Sequence, residues 1–232
     1  MTTRHFFDTE YDALRQHIIT MATEVEQQFF RALDAHQNYD EQAAEGVVNG
    51  DQKIDRMEME IDEHCVNLFA KLQPIATDLR FLTSVIKINN DFERLGDQAV
   101  SIARHTLYLA PRPRLHLDIS PMASLAKEMV HRVIDALVNN NTYFAEEVLL
   151  LEERMDKFEI DFMSEILAVM KEDAKNIKRG VSFIFITRCL EKVGDLSTNI
   201  AEDIVFYMKA KDIRHTHPEA VSKIRPLGGF DK

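Results

Sequence analysis

Apolar residues recur along most of the chain at intervals of three and four positions, the spacing of one face of an α-helix. The clearest stripe consists of Leu14, Ile18, Met21, Val25, Phe29 and Leu33. A second helix is expected after the turn HQNYDEQ, where Asn38 and Glu41 match a capping box. It should stop near Pro74, because proline cannot continue the backbone hydrogen bonds. A third helix should cover about 76–109.

The second half of the chain repeats this plan. The segment APRPRLHLDIS, with two prolines in three residues, predicts a linker. Ser120 and Pro121 then begin a helix to about residue 138. The turn NNN precedes a predicted helix over about 142–173, and a last helix, with Gly180 near its start, should end near Lys209.

These patterns predict an all-α protein of six long antiparallel helices, arranged as two tandem, pseudo-symmetric three-helix bundles. The predicted organisation is a first bundle over 5–110, a linker over 111–119, a second bundle over 120–210 and a C-terminal tail over 211–232. The tail has too little apolar material to specify a packed element.

Two pairs of similar segments support an internal duplication. The segment ERLGDQAVSIA, from Glu93, and EKVGDLSTNIA, from Glu191, share Glu, Gly, Asp, Ile and Ala at matching positions. Upstream, DQKIDRMEMEI from Asp51 matches EERMDKFEIDF from Glu152 in kind at nearly every position. The offsets are 98 and 101 residues, so the halves differ by three residues between their middle and last helices. A loop is expected there.

Charge and composition narrow the class of protein. The 39 acidic and 28 basic residues give a net charge of −11, which argues against nucleic-acid binding because that needs a concentrated positive face. No signal peptide is recognisable, and no apolar run approaches the ~20 residues of a membrane span, so membrane association is expected only through partners. Cys65 and Cys189 suggest neither disulfide nor zinc motif, which favours a cytoplasmic setting.

Acidic pairs four residues apart recur on the repeated helices, so the members of each pair lie on one helix face. The pairs are Asp51 and Asp55, Glu93 and Asp97, Glu152 and Asp156, and Glu191 and Asp195. A single pair is expected by chance in so acidic a chain. Four pairs at matching positions of the two repeats are a stronger signal. If the middle and last helices of each half pack antiparallel, their carboxylates would repel unless a multivalent cation neutralises them. The pattern predicts divalent or trivalent metal ions on carboxylates, with iron, zinc, manganese and magnesium all open.

Two glycines accompany these pairs. Gly96 and Gly194 stand at matched positions inside predicted helices, where each costs about 1 kcal/mol relative to alanine. They predict a close approach of two helices, or room for an ion beside Asp97 and Asp195, and the two interpretations are compatible.

Other motifs give weaker hypotheses. The segment EMVH, Glu128 to His131, has the ExxH spacing of ferritin-like di-iron enzymes, but the first half has no counterpart. His105 should turn away from the acidic face, and Arg80 and Lys178 are interpreted as solvated bases. Neither an activated nucleophile nor a phosphate-cradling glycine loop is recognisable, which argues against nucleophilic catalysis and against the use of ATP or GTP.

The acid pairs, the duplicated plan and the segments QPIATDLRFLTSVIKINNDFERLGDQAVSIA and RCLEKVGDLSTNIAEDIVFYM resemble the PhoU family over roughly residues 5–210. The resemblance implies side-by-side three-helix bundles, surface metal centres and a homodimer. It also implies a non-enzymatic negative regulator of the phosphate regulon that modulates phosphate uptake. The implied partners are the PhoR sensor kinase and the ATPase subunit of the Pst phosphate transporter, which would hold a cytoplasmic protein at the inner membrane.

Carried onto this chain, the family's metal motif falls on the four acid pairs, with Glu58 and Glu159 as additional ligands. The halves differ where Ser101 corresponds to Asn199 and Asp91 to Cys189, so the two sites are expected to differ in nuclearity or affinity. The alternative is a carboxylate-bridged metal enzyme or a metal-storage protein. An enzyme would need an enclosed pocket with an open coordination position.

Overall fold

The computed structural model describes residues 3–214, which contain helices and connecting turns but no strand. The helices are α1 Thr3–Asn38, α2 Glu41–Leu72, α3 Thr77–Leu109, α4 Ser120–Asn139, α5 Thr142–Leu149, α6 Glu152–Glu172 and α7 Ile177–Lys209, with a 3₁₀ turn at Ala174–Asn176. The predicted all-α class is confirmed. The predicted tail lies outside the described residues from position 215 onward. Among the helices of the described part, none is both long and apolar enough to cross a bilayer.

Two local predictions were wrong. The helix expected over 142–173 is two helices, because the amides of Leu150 and Leu151 bond three residues back, at 3.2 and 2.9 Å, and so leave the α-helical ladder. At the start of α2, the N-cap is Asp40, whose carboxylate accepts a hydrogen bond from the Ala43 amide at 3.0 Å. Asn38 belongs to α1 instead, so the expected capping box with Glu41 does not form.

The packing of α3 against α7 forms the centre of the molecule and is the most extensive helix contact among the described residues. The two helices are antiparallel, since Lys87 contacts Asp203 while His105 contacts Phe185. In α7, 18 of the 33 residues are buried, which is typical of a helix covered on most sides. The first bundle is completed by α1 and α2 on α3, and the second by α4, α5 and α6 on α7. The helices that carry the matched glycines, Gly96 in α3 and Gly194 in α7, are therefore central.

A buried histidine joins the two bundles. His36 of α1 is only 3% exposed, and its ring lies edge-on to Phe183 of α7, with 5.4 Å between ring centroids. The hydroxyl of Thr106 donates to the Ile102 carbonyl at 2.9 Å, so His36 Nδ1, 3.3 Å away, is the donor to that hydroxyl. Burial, aided by nearby His105, lowers the pKa of His36 to about 4. The ring is therefore neutral at neutral pH.

This burial predicts a pH-dependent stability. Protonation of the ring is favoured in the unfolded chain, so the stability due to neutral His36 is present above the ordinary pKa of 6.5 and is lost as the pH falls toward about 4. The full loss is about 3 kcal/mol of unfolding free energy. We expect His36→Phe to flatten this part of the profile, measured by urea unfolding between pH 4 and 7. His116→Phe, at an exposed position, is the control, and equal profiles for the two variants would contradict the prediction.

Candidate metal centres

The predicted acids of the first half lie together where α2 packs on α3. Burial and the charges of Asp97, Glu58, Asp55 and Asp51, in that order, raise the pKa of Glu93 to about 7. A carboxyl group responds this strongly only when other carboxylates lie within a few ångströms to a nanometre in a partly desolvated setting. We call Asp51, Asp55, Glu58, Glu93 and Asp97 the first carboxylate cluster.

Other side chains moderate the repulsion in this cluster. Burial, Asp55 and Asp97 raise the pKa of Asp51, whereas the nearby Gln28 amide and the positive charge of Arg104 lower it. The cluster is only partly covered by protein, because Asp55 and Asp97 are exposed while the other three acids are half-buried. It is an acidic surface on a helix pair and is not an enclosed pocket.

The acids of the second half lie together where α6 packs on α7. Burial, Asp195 and Glu159 raise the pKa of Glu191. Burial, Asp156 and Asp195 likewise raise the pKa of Glu152, which the break before α6 places in the first turn of that helix. We call Glu152, Asp156, Glu159, Glu191 and Asp195 the second carboxylate cluster.

The second cluster differs from the first in its neighbours. Lys192 Nζ lies 2.9 Å from Asp195 Oδ2 and neutralises part of that charge. Glu202 adds another acid, since burial and Glu152 raise its pKa to about 7. The sequence comparison missed Glu202 because its counterpart in the first half, 98 residues earlier, is Arg104. Its position two helical turns after Asp195, on the same face, is the signal that could have revealed it.

The carboxylates in each cluster influence one another without meeting at one point. Among the described residues, no group of three or more His, Cys, Asp or Glu side chains is arranged so as to hold a metal ion. The donor chemistry nevertheless suits hard cations, since each cluster consists only of carboxylates, several of them with pKa values raised by their neighbours. The metal ligands therefore stay a prediction.

The matched glycines lie under apolar side chains of the neighbouring helix. A Cβ added to Gly96 would be 3.2 Å from Ile54 Cδ1, and one added to Gly194 would be 2.9 Å from Met155 Cγ. Ile54 precedes Asp55 and Met155 precedes Asp156. The space at each glycine is thus filled by a buried side chain, which supports the close-approach interpretation. Because Asp97 and Asp195 each follow a glycine, this approach also brings the acid pairs together.

The ExxH segment has other contacts. Glu128 accepts hydrogen bonds from Arg132, one turn along α4, at 2.8 and 3.1 Å. His131 Nδ1 lies 2.8 Å from Glu26 Oε1 of α1. Glu128 and His131 therefore each contact a different residue at the surface and do not face a common metal position.

The fold and its two clusters define a class: an all-helical protein made of two repeated helical bundles, each with acid pairs on its last two helices. The chain belongs to the PhoU family, whose domain matches it twice, over residues 18–106 and 119–204.

Relatives and solved structures agree with this assignment. The chain is 32% identical over 228 residues to the phosphate-specific transport system accessory protein PhoU of Escherichia coli K12, covering 97% of this chain and 93% of that protein. The crystal structure of PhoU from Pseudomonas aeruginosa superposes with a TM-score of 0.85 at 32% identity, covering 88% of this chain and all of that one. The phosphate transport system regulatory protein PhoU from Streptococcus pneumoniae gives 0.83 at 27% identity, covering 89% and 98%.

The glycine contacts predict different effects of alanine at three positions. Gly46→Ala on the exposed side of α2, where nothing lies within 4 Å, should raise the unfolding free energy by about 1 kcal/mol. Gly96→Ala should gain less because Ile54 must shift, and Gly194→Ala should destabilise by about 1–3 kcal/mol because Met155 has no room. Urea unfolding measures all three. Equal stabilisation by the three substitutions would show that the helices do not depend on these glycines.

Proposed function

We propose that this chain is a non-enzymatic regulatory accessory protein of phosphate uptake that keeps the phosphate regulon off when phosphate is plentiful. Similarity along almost the whole chain to proteins named as phosphate transport accessory or regulatory proteins supports this proposal. The exposed position of Asp55, Asp97 and Asp156 also favours it, because surface carboxylates suit docking and cation binding better than enclosed catalysis.

In this proposal the protein links a transporter to a kinase. The partners are the ATPase subunit of the Pst phosphate transporter and the PhoR sensor kinase, and the protein acts as a homodimer. It is a cytoplasmic protein that reaches the inner membrane through these partners. A docking protein of this kind transmits a signal through differential affinity for the states of its partners and needs no catalytic group.

The two carboxylate clusters would hold the metal ions. In the first half the ligands are Asp51, Asp55, Glu93 and Asp97, with Glu58 as an additional ligand. In the second half they are Glu152, Asp156, Glu191 and Asp195, with Glu159 as the addition. A bound multivalent cation would neutralise the repulsion that raises the pKa values of Glu93 and Glu191, and would tie α2 to α3 and α6 to α7.

Removal of one acid from each cluster tests the metal proposal. We expect Asp97→Asn with Asp195→Asn to lower the metal content of the purified full-length protein, measured by inductively coupled plasma mass spectrometry. The metal-free variant should be no less stable than the metal-free parent, because the change removes like charges. Unchanged stability together with a lower metal content would show that the variant has lost metal ligands and has not unfolded.

The chain offers a matched control for this experiment. Glu41 and Glu45 are an exposed acid pair with the same spacing at the start of α2, but they belong to neither cluster. Glu41→Gln with Glu45→Gln should leave the metal content unchanged. If the cluster variant retained the parent's metal, or if both double variants lost it equally, the ligand assignment would be wrong.

Gene deletion tests the regulatory role. In the source organism, deletion should make alkaline phosphatase expression constitutive in high phosphate, and the parent gene should restore repression. Normal repression after deletion would contradict the regulatory proposal. The Asp97→Asn and Asp195→Asn gene, tested in the same background, shows whether regulation requires the metal ligands, while the Glu41→Gln and Glu45→Gln gene should restore repression fully.

A further inference from the structure

The two sides of the contact between α3 and α7 correspond to each other through the duplication, yet they differ in character. On one side, Lys87 Nζ forms an ion pair with Asp203 Oδ1 at 3.0 Å. The corresponding residues on the other side, shifted by 98 positions, are Phe185 and His105. Their rings stack with 4.9 Å between centroids and an interplanar angle of 11°. An ion pair on one side is therefore replaced by an aromatic pair on the other.

Charged residues follow the same division. The side with the ion pair has a cavity of about 480 Å³ whose lining includes Asp91 and Glu202. At the corresponding positions of the other side stand Cys189 and Arg104. Two acids are thus exchanged for a thiol and a cation. One side is acidic and the other is aromatic and basic.

An open groove of about 430 Å³ extends along this second side, between the C-terminal half of α3 and the first turns of α7. We call it the basic groove, and its lining includes Arg104, Tyr108, Ile177, Lys178 and Val181. Ile177 and Val181 are 44% and 39% exposed, and Phe185, the next residue of the stripe, is 49% exposed. Because these three residues are spaced by four, they form an apolar stripe about 12 Å long.

The cations around this stripe are available to a ligand. Within residues 3–214, Lys178 and Arg188 take part in no ion pair, and Arg104 acts only as a neighbouring charge on Asp51. Arg188 lies two helical turns from Val181 and therefore on the same face of α7. The Arg112 guanidinium lies 3.7 Å from the centre of the Tyr108 ring at the other end of the groove. In a chain with a net charge of −11, such a set of cations around exposed apolar residues is a distinct surface.

We propose that the basic groove binds an acidic amphipathic helix of a partner protein. Such a helix presents apolar residues at intervals of three and four, which match the stripe of Ile177, Val181 and Phe185, and flanking carboxylates, which match the cations. Ile177 and Val181 line a concavity between two helices, and Phe185 continues the stripe beyond it. This shape fits an inserted helix better than the surface of a bilayer. This inference goes beyond the proposed function, because it requires no metal and no cluster carboxylate, although Arg104 of the groove also neighbours Asp51 of the first cluster.

A second copy of the chain fits the groove less well. Among the described residues, the acidic helices that expose large apolar side chains are α2, with Met59 and Val66, α5, with Tyr143, and α6, with Ile160 and Leu167, and none of these residues lines the groove. Docking of one of these faces in the groove of another copy would be a heterologous contact, which does not close by two-fold symmetry and leads to rings or filaments. The symmetry of a closed dimer therefore favours a separate partner.

The test uses the full-length protein and a synthetic, fluorescein-labelled helical peptide with leucines at intervals of three and four and glutamates on the flanking positions. We expect fluorescence anisotropy to show saturable binding that weakens with added salt. A charge-reversed peptide, with lysine at each glutamate position, should not bind. Lys178→Glu with Arg188→Glu should weaken binding of the acidic peptide at least tenfold, since two charge pairs become repulsive.

A second variant and a control keep the result interpretable. Val181→Asp should also weaken binding, by removing an apolar contact. Lys211→Glu changes one exposed cation beyond the C-terminal end of α7, far from the groove, and should leave binding unchanged. Circular dichroism of each variant checks that it folds like the parent.

Four outcomes would overturn the proposal. They are absence of binding by the acidic peptide, equal binding of the two peptides, unchanged affinity of the folded double variant, and self-association that Val181→Asp abolishes. The last would identify a second copy as the occupant. Anionic phosphatidylglycerol vesicles are tested in parallel, and binding of vesicles without binding of the acidic peptide would identify a membrane surface instead.

Discussion

The antiparallel packing of α3 on α7 determines where the other elements of this protein lie. Each helix serves as the last member of its own bundle and as the main contact with the other bundle, so both must be apolar on several faces. Only narrow faces of α3 and α7 remain for polar residues. One of them carries the acid pair of each helix, and the two sides of the helix contact provide the rest.

Core packing also explains why acids gather on this surface despite their repulsion. Gly96 lets Ile54 approach α3, and Gly194 lets Met155 approach α7, so an apolar contact holds each pair of helices together directly beside the acids. Both apolar side chains are about 99% buried, and burial of such a side chain contributes about 1.5–3 kcal/mol. Repulsion at the partly exposed surface is screened by water and salt and is smaller than this. The fold thus maintains two concentrations of negative charge that the carboxylates would not form by themselves.

This arrangement links proton and cation binding at the clusters. The pKa of Glu93, raised from 4.5 to about 7, means that the folded protein binds a proton there more tightly than the unfolded chain. Its contribution to stability is therefore present at low pH and is lost as the pH rises from about 4.5 to 7. A bound multivalent cation would oppose that loss at neutral pH, and it would compete with the proton for the same oxygens.

The helices and the acid pairs were predictable because helical spacing and repeat register are local properties of a sequence. The break at Leu150 and Leu151 was not, since leucine favours helices and only the packing of α5 and α6 on α7 requires a change of direction there. Glu202 is not predicted by the repeat, because Arg104 occupies the matching position in the first half. The stacking of half-buried His105 on Phe185 depends on how the two bundles meet, which neither repeat encodes separately.

Some features are common to the two halves of the chain, and others differ between them. The acid pairs and the glycines occur in both halves at matched positions, so both clusters depend on the same packing and present the same carboxylate chemistry. The two sides of the α3 and α7 contact differ instead, with Lys87 and Asp203 on one and Phe185 and His105 on the other. Both pairs lie partly at the surface, since Phe185 and Lys87 are exposed, although Asp203 is buried. A contact that only joined the bundles would not require this asymmetry, whereas a protein that meets different ligands on its two sides would.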